Sequence, residues 1–143
     1  MKKALTFLTA IGLFLAVSAQ ITHPVKWTYA AKRVSDKEAI IFFKATIQDT
    51  WHIYSLVGKD GGPTKTSFKF SANKDFSPVG KPTEPKPLTR YESTIKMNVS
   101  YFEKEVVFQQ KIKLNTNNKL AINGRLEYGL HQYPLQSTGR CRF

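Results

Sequence analysis

The sequence has few of the residues that most often carry chemistry. Its 143 residues include one cysteine, Cys141, and three histidines, His23, His52 and His131. No two of them stand at the spacing of metal ligands, so we predict neither a metal site nor a cofactor. The chain also lacks a glycine-rich phosphate loop and a Gly-x-Ser-x-Gly elbow, and we expect His52 on a strand surface or rim. The residues present therefore indicate no self-contained enzyme site.

Long apolar runs are absent too. The longest one, at residues 4–16, is too short to favour a membrane span. It follows Lys2 and Lys3 and precedes small residues that end at Ala19, which is the pattern of a cleaved secretory signal. We predict a signal peptide over residues 1–19, a periplasmic or secreted protein, and no stable membrane insertion after cleavage.

Positive charge is abundant but not concentrated. The formal net charge is +12. Lysines alternate with apolar residues along the candidate strands, as solvent-facing positions do, and they form no basic run. Because the chain is also expected to be exported, we predict no nucleic-acid partner, and we interpret the charge as a contribution to solubility.

The dominant pattern is alternation of apolar and polar residues with a period of two, which predicts strands. No segment has a convincing helical period. Short strands with frequent turns favour an all-β fold, an immunoglobulin-like antiparallel β-sandwich. The predicted strands cover 25–33, 39–47, 51–55, 66–70, 76–80, 95–101, 105–114 and 120–128, the last two forming a hairpin. In 39–47 one face is predicted to be buried, and Ile40 and Phe42 on the other face suggest a central strand. In 105–114 the predicted buried face carries Val106, Phe108, Ile112 and Leu114.

The segment 49–70 stands out because a Gly-rich loop interrupts two aromatic strands. Gly58, Gly61, Gly62 and Pro63 break the alternation after Tyr54. Loops carried by rigid strands are common places for binding and catalytic residues. This loop is therefore the first candidate for a site.

Several motifs together resemble the N-terminal domain of thiol:disulfide interchange proteins of the DsbD family, most closely its small stand-alone exported versions. The resemblance covers nearly all of residues 21–128, and the domain it implies comprises residues 20–128. The motifs that carry it are V-K-W (25–27), A-T-I-Q-D-T-W-H-I-Y-S (45–55), G-G-P-T-K-T-S-F-K-F (61–70), V-G-K-P-T-E-P-K-P (79–87) and N-V-S-Y-F-E-K-E-V-V-F (98–108).

This resemblance implies a periplasmic sandwich that exchanges thiols and disulfides with periplasmic partner proteins. In the family, two cysteines on the segment after the equivalent of residues 126–128 carry the exchange, and a cap loop shields them. By position, the cap loop here would comprise Val57, Gly58, Lys59, Asp60, Gly61, Gly62, Pro63 and Thr64.

The chain departs from the family in its tail, residues 129–143. No cysteine pair occurs there, and Cys141 alone is only a weak candidate thiol. Exchange needs one thiolate to attack and a second to resolve the mixed disulfide, so we predict a redox-incompetent domain and assign no enzyme activity. An alternative is a non-catalytic exported sandwich that binds a protein or glycan near Trp51 and Lys59. The tail also lacks alternation, which predicts a missing closing strand and an unpaired hairpin at 105–128.

A frameshift near codon 129 is one hypothesis for this departure. Permitted codons for residues 129–143 exist that, read one base later, encode A-C-T-N-T-R-C-N-P-P-A-D-V-D. That ending contains a cysteine pair and two prolines, as the family pattern requires. A truly divergent terminus is the other hypothesis, and the bases around codon 129 distinguish the two.

Overall fold

The computed structural model describes residues 23–132 and 136–143, with only the backbone described for 136–141. These residues form strands and loops, without a helix in the described ranges. The predicted signal peptide lies outside them and stays a prediction. Among the described residues, none belongs to a helix long and apolar enough to cross a membrane.

In the described ranges, ten strands form two antiparallel sheets, which we call sheet A and sheet B. Sheet A has four strands in the spatial order β1-β2-β8-β5. Sheet B has six strands: five lie in the spatial order β10-β9-β3-β7-β6, and the sixth, β4, pairs with β9. The strands are β1 Val25–Ser35, β2 Glu38–Ile47, β3 Trp51–Tyr54, β4 Ser67–Phe70, β5 Phe76–Thr83, β6 Leu88–Glu92, β7 Met97–Phe102, β8 Glu105–Leu114, β9 Gly124–Gln132 and β10 Gln136–Arg142.

Strand β2 is the centre of sheet A, as its sequence predicts. It pairs with β1 from Val25↔Ile47 to Ser35↔Glu38, and with β8 on its other side. Every second residue faces the core and is buried, whereas Ile40 and Phe42 are half-buried on the opposite face. Alternation with apolar residues on both faces thus correctly predicted a central strand.

The core lies between the sheets and is rich in aromatic rings. Phe43 and Phe108 of sheet A are fully buried. Phe43 packs against Phe68 of sheet B with ring centroids 4.3 Å apart, and Trp27 packs against Tyr128 at 5.4 Å. Aromatic contacts of this kind join the two layers, and the predicted all-β sandwich is confirmed.

The predicted hairpin at 105–128 is wrong. Strand β8 pairs with β2 and β5 in sheet A, whereas β9 pairs with β3, β4 and β10 in sheet B. The connecting residues 115–123 leave one sheet and enter the other, with Leu120 and Ile122 packed against the core on the way. Their apolar spacing therefore marks a crossover and not a strand.

The tail also differs from the sequence-based expectation. Strand β10 pairs with β9 from Gln136↔His131 to Arg142↔Arg125, so the predicted lack of a closing strand is wrong. An edge strand is held by main-chain hydrogen bonds, which do not require alternation. Phe143 adds a side-chain contact, with its ring 5.1 Å from that of Phe43.

Candidate functional site

The Gly-rich segment forms a loop across the outer face of sheet B, and we call residues 55–66 the crossing loop. It leaves the sheet after β3 and returns at β4. Its base is closed by two hydrogen bonds from Thr66, one from N–H to Ser55 O (3.1 Å) and one from Oγ1 to Tyr54 O (2.5 Å). Both Ser55 and Thr66 are buried. The predicted cap segment, 57–64, lies within this closed loop.

A tight turn forms the tip of the crossing loop. The N–H of Gly62 donates to Lys59 O at 3.1 Å, and Gly61, the third residue of the turn, has φ of 78°. A positive φ at that position is the mark of a type II turn, and it favours glycine. Gly61 therefore has a conformational role at the tip.

The crossing loop rests on strand β9 at the first residue of the tail. A Cβ on Gly129 would overlap the carbonyl oxygen of Thr64 and would lie 2.8 Å from the Tyr54 ring. Only a glycine allows this approach of loop to strand. The predicted cap segment and the start of the tail, where the resembled family has its cysteines, are thus brought together.

Cys141 is not brought to the same place. Its backbone lies opposite Leu126 in the β9–β10 register, whereas Gly129 lies opposite Thr138. The backbone of Cys141 is therefore at a different part of the β9–β10 pair from the point of loop contact.

A cleft of about 230 Å³ separates the crossing loop from β7. A Cβ on Gly62 would lie 3.1 Å from Met97 Sδ, so the loop tip and the strand meet at one end. Val57 on the rim is 74% exposed, unusually so for a large apolar side chain. The cleft can accept a small apolar group, and its lining includes Tyr54, Val57, Lys59, Pro63, Met97 and Val99.

Trp51 and Lys59, named together in the binding alternative, line different clefts. Lys59 lines the one just described, and Trp51 lines a second cleft of about 270 Å³ with Asp49 and Lys104. The alternative of a protein or glycan site near both residues stays a prediction.

Two histidines contact each other on the outer face of sheet B, the face that the crossing loop covers. His52 is only 2% exposed, so its expected position at a strand surface or rim is wrong. Its ring centroid lies 4.6 Å from that of His131, which is also buried, and Tyr54 Oη lies 2.9 Å from His131 Nδ1. The apolar and aromatic residues on both faces of Trp51–Tyr54 were the available signal, because such strands are covered on both sides.

Arg90 connects this pair to a carboxylate. Its Nη2 donates to His52 Nε2 at 3.4 Å and to Glu92 Oε2 at 3.1 Å, and its guanidinium lies 5.2 Å from the centre of the Tyr101 ring. Because arginine is only a donor, His52 Nε2 is the acceptor, and the ring proton is on Nδ1. Sequence analysis missed strand β6, which carries Arg90 and Glu92, because it follows the proline-rich run.

Both imidazoles are held in their neutral form. Burial, then the nearby His131 and then Arg90, lower the pKa of His52 from 6.5 to about 4. Burial also lowers the pKa of His131, against the opposing effect of Glu92. Within the described ranges, no group of three or more His, Cys, Asp or Glu residues could hold a metal ion. The cluster is a hydrogen-bonding network of two neutral imidazoles and the Arg90–Glu92 ion pair.

No protein-family model and no curated protein matches this sequence. Among solved structures, the N-terminal periplasmic domain of ScsB from Proteus mirabilis matches with a TM-score of 0.61 and 16% identity. That match covers 85% of this chain and 47% of the ScsB chain, so this chain spans about half of that neighbour's length.

Two structures of the DsbD N-terminal domain from Neisseria meningitidis also match. The reduced form gives a TM-score of 0.50 at 14% identity, and covers 80% of this chain and 81% of its own. The domain in its complex with the PilB N-terminal domain gives 0.52 at 14% identity, with 83% and 80% covered. This protein has the immunoglobulin-like sandwich fold of DsbD N-terminal domains. At such identity the likeness is one of fold.

Proposed function

We propose that this protein is a periplasmic domain of the thiol-disulfide interchange kind, and that it cannot complete exchange in the form that this sequence gives it. The observation that carries the proposal is the contact of the crossing loop with Gly129. A loop that rests on the β9 segment after Tyr128 matches the cap arrangement that the sequence resemblance implies. The fold shared with DsbD N-terminal domains supports the same function.

The chemistry of thiol-disulfide exchange explains why this chain would not complete a full exchange cycle. A thiolate attacks a partner's disulfide and forms a mixed disulfide, releasing one partner sulfur as a thiolate. A second thiolate must then attack the mixed disulfide, which frees the partner as a dithiol and leaves an intramolecular disulfide. The sequence contains one cysteine, so the second step has no nucleophile in this chain.

Partner binding does not need the cysteine pair. The cleft beside the crossing loop offers apolar side chains and the cations of Lys59 and Lys65 to an approaching protein. A neighbour of the same fold forms a complex with the PilB N-terminal domain. We therefore propose periplasmic thiol-disulfide proteins as partners, held at the crossing loop.

The test compares the unmodified protein with a variant that keeps Gly129 and continues from position 130 with C-T-N-T-R-C-N-P-P-A-D-V-D. Both are equilibrated in glutathione redox buffers and alkylated, and their intact masses are measured. In the unmodified protein we expect one alkylated thiol at most. In the variant we expect an intramolecular disulfide, which yields two alkylated thiols after reduction. The variant should also reduce oxidised glutathione faster than the unmodified protein.

A matched control carries the same new ending with its second cysteine replaced by serine. It should form only mixed disulfides with glutathione. A folded two-cysteine variant without an intramolecular disulfide would contradict the proposed function. Release of more than one reduced glutathione per molecule of the reduced, unmodified protein would contradict its proposed incompetence, because a single thiol can release only one.

A further inference from the structure

Glu84 contacts the crossing loop from outside it. The residue is half-buried and lies between β5 and β6. Its Oε2 accepts a hydrogen bond from the N–H of Leu56 at 2.8 Å, and its Oε1 accepts a short one from Ser55 Oγ. Ser55 Oγ in turn accepts from the N–H of Val57 at 3.0 Å. One carboxylate thus organises the first three residues of the loop.

These hydrogen bonds occur where the chain leaves the sheet. Ser55 N–H still donates to Ser100 O of β7 at 2.9 Å, but Leu56 and Val57 lie beyond the strand. A buried or half-buried amide without an acceptor costs about 1–3 kcal/mol, so a replacement acceptor is needed there. The Glu84 carboxylate supplies it, and hydrogen bonds to a charged acceptor are the stronger kind.

The backbone that presents Glu84 is restricted by its neighbours. Pro82, Pro85 and Pro87 flank it, and each fixes its own φ near −65°. The residue before a proline is also confined to extended conformations, which applies to Glu84 itself. The carboxylate is therefore offered from a stiff segment and not from a flexible one.

We propose that Glu84 is a positioning residue that latches the start of the crossing loop to the segment between β5 and β6. The latch controls how often the loop lifts from Gly129, and hence how accessible that part of β9 is. The importance of the latch for thiol-disulfide exchange rests on the proposed function. The latch itself rests only on the hydrogen bonds to Ser55 and Leu56 and on the proline-flanked segment.

Amide hydrogen exchange, measured for the unmodified protein and for variants of Glu84, tests the latch directly. In Glu84→Ala, we expect exchange at Leu56 and Val57, and along the loop to Thr64, to rise about 10- to 100-fold, the range for hydrogen bonds to a charged group. Glu84→Gln retains one acceptor oxygen, so its increase should be smaller. Amides of β2 and β8 should keep their rates in both variants.

Two further variants make the result specific. Ser55→Ala removes the hydroxyl bridge, and combined with Glu84→Ala it should raise loop exchange by less than the product of the single effects, because both changes break the same network. Glu38→Gln alters an exposed carboxylate paired with Lys111 in sheet A and should leave the loop unchanged.

Unchanged loop exchange in Glu84→Ala, or an equal rise across all strands, would overturn the latch. If Glu84→Ala does not fold, Glu84→Gln takes its place in both comparisons. Loop protection in Glu84→Gln equal to that of the unmodified protein, together with independent effects of Glu84→Gln and Ser55→Ala, would also overturn the latch. None of these readouts uses a thiol, so failure of the latch and failure of the proposed function are separate results.

Discussion

The outer faces of the two sheets differ in what covers them. In sheet A, β8 alternates strictly, with buried Phe108 and Ile112 facing the core and exposed Gln109 and Lys111 facing outward. In sheet B, three consecutive residues of β3, His52, Ile53 and Tyr54, are all buried. Sheet A is thus covered on its core face, whereas this part of sheet B is covered on both.

The difference separates a scaffold from a place where polar groups are buried. Gln110 on β8 is the buried polar side chain that the described part of sheet A contributes. The others lie in or beside sheet B: His52, Ser55, Thr66, Glu92 and His131. Burying polar groups is costly unless they are hydrogen-bonded, and proteins accept such local costs mainly at functional or strained sites. The covered face of sheet B is accordingly the location of the site that we propose.

The largest effect should come from removing a ring that both sheets share. Phe43 is fully buried in sheet A, and its ring contacts Phe68 of sheet B and Tyr29 of β1. Phe43→Ala should lower the free energy of unfolding by about 3–5 kcal/mol, since it leaves a cavity between the layers. Denaturant unfolding followed by both tryptophan fluorescence and circular dichroism measures the loss.

Val34→Ala provides the control, because Val34 is 46% exposed near the end of β1. Its cost should be within about 0.5 kcal/mol. Similar costs for the two variants would show that Phe43 is not part of a shared core. Separate transitions by the two probes would show that the sheets unfold independently.

Sequence periodicity predicted sheet A better than sheet B, for a physical reason. Alternation in β2 and β8 reflects burial on the core-facing side, and it identified both strands and their buried faces. In β3 the sequence W-H-I-Y has no polar face, so alternation could not show whether the side that carries His52 is buried. Its burial depends on residues distant in sequence, including Arg90 and His131.

Strand partners were the weaker part of the prediction. The turn-like residues 115–118 suggested a hairpin, yet the chain crosses between sheets there. Local turn chemistry shows that the chain bends, but not which strand it joins next. Similarly, β10 is held by main-chain pairing to β9, which leaves no periodic trace in the tail. The crossing loop was identified from its glycines, whereas its contact with Gly129 required the structure.

An intermediate effect, confined to sheet B, should follow from pH. The pKa of His52 is lowered from 6.5 to about 4 in the folded protein, so between these values the unfolded chain binds more protons. The contribution of His52 to the free energy of unfolding should therefore fall as pH decreases from about 6.5 to about 4, by at most about 3 kcal/mol. Protonation would place a charge beside Arg90 and His131, where the Glu92 carboxylate is also close and the rings of Tyr54 and Tyr101 contact His52.

The measurement is the free energy of unfolding against pH for the unmodified protein and two variants. His52→Gln keeps an acceptor for Arg90 but does not titrate, so its dependence on pH in this window should be shallower. His23→Gln changes an exposed histidine and should retain the original slope. Equal slopes in all three proteins would mean that His52 does not couple folding to protons.

The smallest effect should come from the outer face of sheet A, which the comparison treats as solvated surface. Lys44 Nζ lies 2.7 Å from Glu105 Oε2, but the side chains are 43% and 62% exposed. Water and salt screen such a pair, so a double-mutant cycle with Lys44→Met and Glu105→Gln should give a coupling below about 1 kcal/mol that shrinks at high ionic strength. A salt-insensitive coupling as large as the pH effect at His52 would mean that this face also contains a shielded polar network. The contrast between an open scaffold face and a covered functional face would then fail.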